Sequence, residues 1–180
     1  MKLVLVLALL TAPVLAQDVA AVAVALAACG PKEVQFDVQT DKSQHPVPKP
    51  EAGKALVYVV EDQRQNLIHC LGNCDETTHL GLDGAWMGAN RGSSYFFFSV
   101  EPGEHHLCAA WPRGPRGQRP QDHVSLANFA AEAGHTYYFR AVATAISTSA
   151  FYSLDLEPVG DDEGQLLVAA SPFSTFHQKK

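Results

Sequence analysis

The pair Asp83-Gly84, set between the short apolar runs Thr78 to Leu82 and Ala85 to Ala89, constrains the fold more than any other feature of the chain. A two-residue hairpin connection needs φ > 0 at both central residues, and Asp-Gly is among the few pairs that adopt it at little cost. The spacing therefore predicts a tight antiparallel hairpin. A second turn signal stands at Glu101-Pro102-Gly103-Glu104, where Pro in the second position and Gly in the third suit a type II turn. Ser94 to Val100 and Glu104 to Trp111 are accordingly expected to pair with each other. Strand chemistry also occupies Ala55 to Val60, His123 to Ala131, His135 to Thr144 and Ser149 to Glu157, separated by Gly-rich or Ser/Thr breaks.

Side-chain alternation assigns faces to these runs. Phe96, Phe98 and Val100 fall on one side of their strand and Tyr95 and Phe97 on the other, which describes a strand covered on both faces. Asp161 to Ala169 is the one helical candidate of the C-terminal part, opening on acidic residues that suit a helix N-terminus. Regularly spaced strands joined by hairpin turns point to an all-β chain, an antiparallel β-sandwich of about seven to eight strands with a short C-terminal helix. The sandwich is expected over residues 54–170, preceded by a polar, proline-containing linker to residue 53 and followed by a flexible tail over 171–180. With 18% charged and 47% hydrophobic residues in 180, one globular domain accounts for the length. A net charge of -6 offers no footprint for nucleic acid, so no nucleic-acid partner is expected.

Residues 1–16, MKLVLVLALLTAPVLA, have the basic start, apolar run and small-residue end of a secretory signal. Export to the periplasm or outside the cell is the expectation. The second apolar stretch, Val19 to Ala28, ends in Leu26-Ala27-Ala28-Cys29, a pattern after which a bacterial lipoprotein is cut and acylated. Asp18 opposes that alternative, because a charge is costly inside a signal's apolar region. It also serves well as the N-cap of a short helix over residues 19–29 that Gly30-Pro31 would end. Membrane contact is expected only if Cys29 is lipidated or the signal stays uncleaved.

An exported chain with Cys29, Cys70, Cys74 and Cys108 is expected to form disulfides, and three pairings are open. The favoured one joins Cys70 to Cys74 in a tight loop and Cys29 to Cys108, tying the N-terminal segment to the sheet. The competing use of Cys70, Cys74 and His79 as zinc ligands matches no standard zinc spacing.

The ordered set Lys54-Ala55-Leu56-Val57-Tyr58-Val59, Leu82-Asp83-Gly84, Ser94-Tyr95-Phe96-Phe97, Pro102-Gly103-Glu104-His105 and Ala131-Glu132-Ala133-Gly134-His135-Thr136-Tyr137-Tyr138 resembles a bacterial family of exported β-sandwich domains of unknown function. Many of its members look like envelope lipoproteins, a pattern from which this chain departs at Asp18. The resemblance spans roughly residues 53–168 and implies a fold and a compartment; it implies no activity or catalytic residue.

Chemistry-bearing motifs are sparse. His105 and His106 are neighbours on a strand and point to opposite faces, so they do not ligate one ion together. HExxH, GxSxG, GxGxxG and the phosphate-binding Gly-Lys-Ser/Thr loop are all missing from the sequence. No catalytic residue, cofactor or metal site is expected. Two binding features stand out instead. Arg113, Arg116 and Arg119 recur at three-residue spacing in a Pro/Gly-rich stretch and would line one edge of an extended segment, a stripe for an anionic ligand. Trp86, Tyr95 and Phe97 would form an aromatic platform for a protein or glycan partner, with core packing as the plainer use of the same rings. The expected function is a non-enzymatic binding or structural module at the cell envelope or outside the cell. The alternatives are a lipid-tethered subunit of an envelope complex and a metal-assisted hydrolase whose site gathers three of His69, His79, His106, His123, Asp75 and Glu76.

Overall fold

A computed structural model describes residues 29–31, 34–62, 77–111, 123–145 and 152–179. They form ten strands and one helix: β1 (Phe36–Asp41), β2 (Ala55–Glu61), β3 (Thr77–Leu82), β4 (Ala85–Arg91), β5 (Tyr95–Val100), β6 (Gly103–Ala110), β7 (Val124–Ala131), β8 (Thr136–Ala145), β9 (Tyr152–Val159), α1 (Asp161–Ala170) and β10 (Phe173–Gln178). The strands make two sheets, one of six in the order β1-β10-β5-β2-β8-β9 and one of four in the order β4-β3-β6-β7. Among the described residues, no helix is long and apolar enough to cross a membrane.

The Asp83-Gly84 hairpin forms as its sequence dictates. Asp83 has φ 50° and Gly84 φ 85°, and the turn joins β3 to β4 in antiparallel register. The Pro102-Gly103 turn behaves differently: β5 pairs with β2 and β10, and β6 pairs with β3 and β7, so the expected β5–β6 hairpin does not form. Gly103 adopts φ 141°, well away from the value of about 80° that a type II turn requires, and the chain steps from one sheet to the other. The sequence signal reported a reversal of direction, and tertiary packing decided the partner. Glu132-Ala133-Gly134 is likewise a passage between sheets, from β7 to β8.

Two further expectations are corrected. The six-stranded sheet is mixed, because β2 and β8 run parallel in the register Leu56↔Thr136 to Glu61↔Ala141, and β10 runs parallel to β5. Ten described strands therefore replace the seven or eight antiparallel ones. The linker and the tail also contain structure: residues 36–41 and 173–178 pair along their whole length, Phe36↔Gln178 to Asp41↔Phe173, and complete one edge of the large sheet. Each was obscured in the sequence because it buries few residues; only Val38 in β1 and Ser174 in β10 are fully enclosed.

Strand β2 lies at the centre of the molecule, with all seven residues buried. Ala55, Val57 and Val59 face the four-stranded sheet and share a core with Leu80, Phe96, Val100, Leu107, Ala109, Phe139, Ala141, Leu154 and Leu156. Leu56, Tyr58 and Val60 face the other way, toward Tyr95, Tyr138 and the helix residues Leu167 and Val168. A side chain of this size contributes roughly 1.5–3 kcal/mol when fully buried, so a strand covered on both faces anchors both layers. Strand β5 follows the same rule, with Phe96 on the inter-sheet side and Tyr95 on the helix side. Helix α1 covers part of the outer face of the large sheet, and Gly164 allows the approach, since a Cβ there would run into the Tyr138 ring.

The remainder of that outer face carries the connector between β1 and β2. Residues 44–50 cross it outside any strand or helix; the Tyr95 hydroxyl donates to the Pro46 carbonyl at 3.2 Å and the Tyr58 hydroxyl approaches the Pro48 carbonyl at 3.5 Å.

The outer face of the small sheet has its own cover. Cys29 and Cys108 form a disulfide with Cα atoms 5.2 Å apart, and Trp86 Nε1 donates to the Pro31 carbonyl at 2.8 Å. Gly81, opposite Cys108 in the register, leaves room for this segment, because a Cβ would meet the Cys29 carbonyl. Farther along, the Phe36 ring packs edge-on to His79 and to Phe176 at the rim between the sheets.

Candidate functional site

Where β7 passes into β8, the sandwich end and the start of α1 enclose a groove of about 570 Å³. Phe129 of β7 and Tyr137 of β8 supply aromatic surface, with ring centroids 5.3 Å apart. Hydrogen-bonding groups come from His135, Thr136, Asp161 and Gln165, and Gly134, Pro158 and Val159 complete the wall. Local sequence explains this placement. Gly134, at φ 81°, lets the chain change sheets beside His135, while Gly160 starts α1 immediately after β9 and brings Asp161 to the same place. Burial, with the Asp161 carboxylate adding to it, pushes the Tyr138 hydroxyl above its ordinary range, so it keeps its proton. The Tyr137 hydroxyl accepts from the Glu132 N–H at 3.0 Å, which fixes the ring. The groove thus offers rigid aromatic surface beside neutral and anionic acceptors, in an open depression lined about equally by polar and apolar groups.

The residues singled out in the sequence do not converge there. Tyr95 is buried on the large sheet with Phe97 half-buried beside it, whereas Trp86 lies on the small sheet and packs on the Cys29–Cys108 cover. The platform of Trp86, Tyr95 and Phe97 is therefore not one surface: the Arg91-to-Ser94 connection carries the chain between sheets. Cys70, Cys74, His69, Asp75, Glu76, Arg113, Arg116 and Arg119 lie outside the described residues, as do residues 1–28 with the signal and most of the helix expected over 19–29.

The histidines have divergent roles. His105 Nδ1 is 2.7 Å from Asp83 Oδ2 and its Nε2 is 2.7 Å from the Glu101 carbonyl, two acceptors that the doubly protonated ring satisfies. Burial works against that charge, but the Asp83 and Glu101 bonds outweigh it and hold the His105 pKa above the ordinary value. His79 is buried under Phe36 and Trp86; desolvation pulls its pKa down to about 4, and its Nδ1 has no hydrogen-bond partner. His106 is exposed near the other end of the same sheet face, and His123 sits beside Trp111. No group of three His, Cys, Asp or Glu suited to hold a metal ion occurs among the described residues.

Sequence reading missed a buried polar set at the far end of β2. The Thr78 hydroxyl donates to Glu61 Oε1 at 2.9 Å and accepts from Trp111 Nε1 at 3.0 Å, while Asn90 Nδ2 donates to the Val59 carbonyl at 3.1 Å. The signal available in the sequence is that Glu61 and Asp62 directly continue the apolar run of β2.

Fold and groove together define a two-sheet β protein, tied by a disulfide and indented by a groove at one end. Compared with known proteins, the chain matches no family model, no curated protein and no solved structure.

Proposed function

We propose that the protein is a non-enzymatic binding module that works at the cell envelope or outside the cell and holds a glycan segment in the groove between β7, β8 and α1. The observation that carries this reading is the groove itself. The Phe129 and Tyr137 rings present apolar faces on which a sugar ring stacks, and Asp161, Gln165 and His135 lie at its margin to exchange hydrogen bonds with hydroxyls. The Phe129 and Tyr137 rings themselves pack against the inter-sheet core at its end, so little conformational freedom is lost on binding.

The compartment is supported by the Cys29–Cys108 disulfide, which is stable in oxidising surroundings, and by the signal-like residues 1–16. A Cys29 sulfur bound to Cys108 is not available for acylation, which favours a soluble exported form over a lipid-tethered one. The test is equilibrium binding of the mature protein to a glycan array, repeated with Gln165→Trp, which fills the groove, and Asp161→Ala. Binding that both substitutions abolish supports the reading. An array without binders, or binding that survives both substitutions, overturns it.

A further inference from the structure

The two covers of the large sheet's outer face differ in kind. Helix α1 inserts Leu167 and Val168 as fully buried side chains. Residues 44–50 bury none: Pro46 and Pro50 are half-exposed, the others are exposed, and Val47 is 66% exposed. What joins this strap to the sheet is the approach of the Tyr95 and Tyr58 hydroxyls to the carbonyls of Pro46 and Pro48, and the stacking of His45 on Tyr95 with centroids 6.3 Å apart. Both hydroxyl distances, 3.2 and 3.5 Å, lie beyond the range of about 2.5–3.0 Å usual for O–H donors, so the contacts are weak.

The strap's ends are fixed outside the patch of Tyr58, Tyr95 and Phe97. At one end Asp41 accepts from the Ser43 N–H at 2.7 Å and from the Ser43 hydroxyl at 2.6 Å. At the other, Glu51 meets Lys54 Nζ at 3.0 Å and accepts from the Ser99 hydroxyl at 3.0 Å. The middle can therefore lift at the cost of its own contacts alone.

The pattern of contact also explains the prolines. In an extended chain the N–H and C=O of one residue point to the same side. Residues 46 and 48 turn their carbonyls to the tyrosine hydroxyls, so an N–H at either position would have only those same two hydroxyl oxygens, already engaged as donors, to reach for on an otherwise aromatic face. Proline has no N–H, and its fixed φ lowers the entropy lost on docking. The requirement is for proline at alternate positions, which the chain meets in His45-Pro46-Val47-Pro48-Lys49-Pro50.

We propose that the Tyr58/Tyr95/Phe97 face is a docking surface for extended partner segments carrying proline at alternate positions, and that residues 45–50 occupy it as a tethered, displaceable ligand. This surface is separate from the groove at α1, and either assignment stands without the other. Because a short tether gives the strap a local concentration on the order of millimolar, a partner segment competes only at high affinity or high local concentration.

The mature chain carrying Pro46→Ala and Pro48→Ala is titrated with an eight-residue peptide copying residues 44–51, and with the same peptide bearing alanine for its three prolines. The expected result is binding of the prolyl peptide at least about tenfold tighter than of the alanyl one, with a further Tyr95→Phe weakening it about fivefold, the value of one neutral hydrogen bond. A folded variant that binds neither peptide, or both equally, overturns the proposal. Should the variant fail to fold, the wild-type chain gives the answer through the ring-proton shifts of His45, which Tyr95 displaces by stacking. Prolyl peptide at about 10 mM should move them toward free-histidine values, and shifts that stay unchanged overturn the proposal. A concentration-dependent wild-type dimer that the two alanine substitutions abolish assigns the face to a second copy's strap and overturns it as well.

Discussion

Mild acid should loosen the cover of the small sheet through a single proton on His79. In the unfolded chain this imidazole titrates near 6.5; under Phe36 and Trp86 it resists protonation to about 4. Between those two values the unfolded chain binds more protons than the folded one, so stability falls as pH falls. Two and a half pH units at 1.36 kcal/mol each give a loss of roughly 3 kcal/mol by pH 4, with a slope approaching 1.4 kcal/mol per unit below pH 6. His105 does not mask this, since its pKa is raised: its contribution is fully present below 6.5 and is lost only as pH rises through the folded value. Asp41, Glu51 and Asp83, held below the usual carboxylate range, lose their contributions only at lower pH. Urea unfolding at pH 7, 6, 5.5 and 5, followed by tryptophan fluorescence, measures the slope, and Trp86 beside His79 reports the local change. His79→Leu should flatten the curve over this window. An equal slope in wild type and His79→Leu would refute the assignment of the lost stability to this residue.

Replacing Cys29 and Cys108 together by Ser opens a bridge between positions 79 apart; chain-entropy arithmetic gives about 4.5 kcal/mol of lost stability, read as a lower urea midpoint. Gly88→Ala drives a methyl into the Phe176 ring and should cost about 1–3 kcal/mol by the same measurement, whereas Gly53→Ala, with open space around it, pays only for its backbone at φ 80°. Arg140→Ala removes ion pairs to Glu157 and Glu163 that are partly open to solvent, so a change of about 1 kcal/mol or less is expected, shrinking further in 1 M salt.

Local chemistry was enough to read those parts of the fold that local chemistry decides. Asp83-Gly84 specifies its hairpin because few other pairs accept two positive φ values in succession, and the aromatic alternation of β5 assigned both of its faces. Partner choice is a different matter. Pro102-Gly103 turns the chain whether or not the flanking strands pair, and β5 is drawn to β2 because both present apolar side chains to the same two layers. Nothing near β2 in sequence announces β8 as its parallel neighbour; that contact spans some eighty residues and is set by the core as a whole. Edge strands were the least legible. Strand β1 contributes little more than Val38 to the interior, so its alternation is lost among polar neighbours. The candidate site followed the same division: no motif marks a groove made from the ends of β7, β8 and α1, while Trp86 and Tyr95, nine positions apart in sequence, are separated by a change of sheet.

The pairing of β1 with β10 has a consequence in time. One strand is among the earliest of the described segments to be synthesised and the other is the last, and the Lys179 N–H closes on the Gln35 carbonyl at 2.8 Å. Until residue 178 is made, β1 has no edge to join, and the aromatic seam of Phe36, Phe96 and Phe176 cannot close. The nascent chain must therefore carry an open apolar margin through most of its synthesis, and a pause or cleavage before residue 173 would release a chain with that margin still exposed.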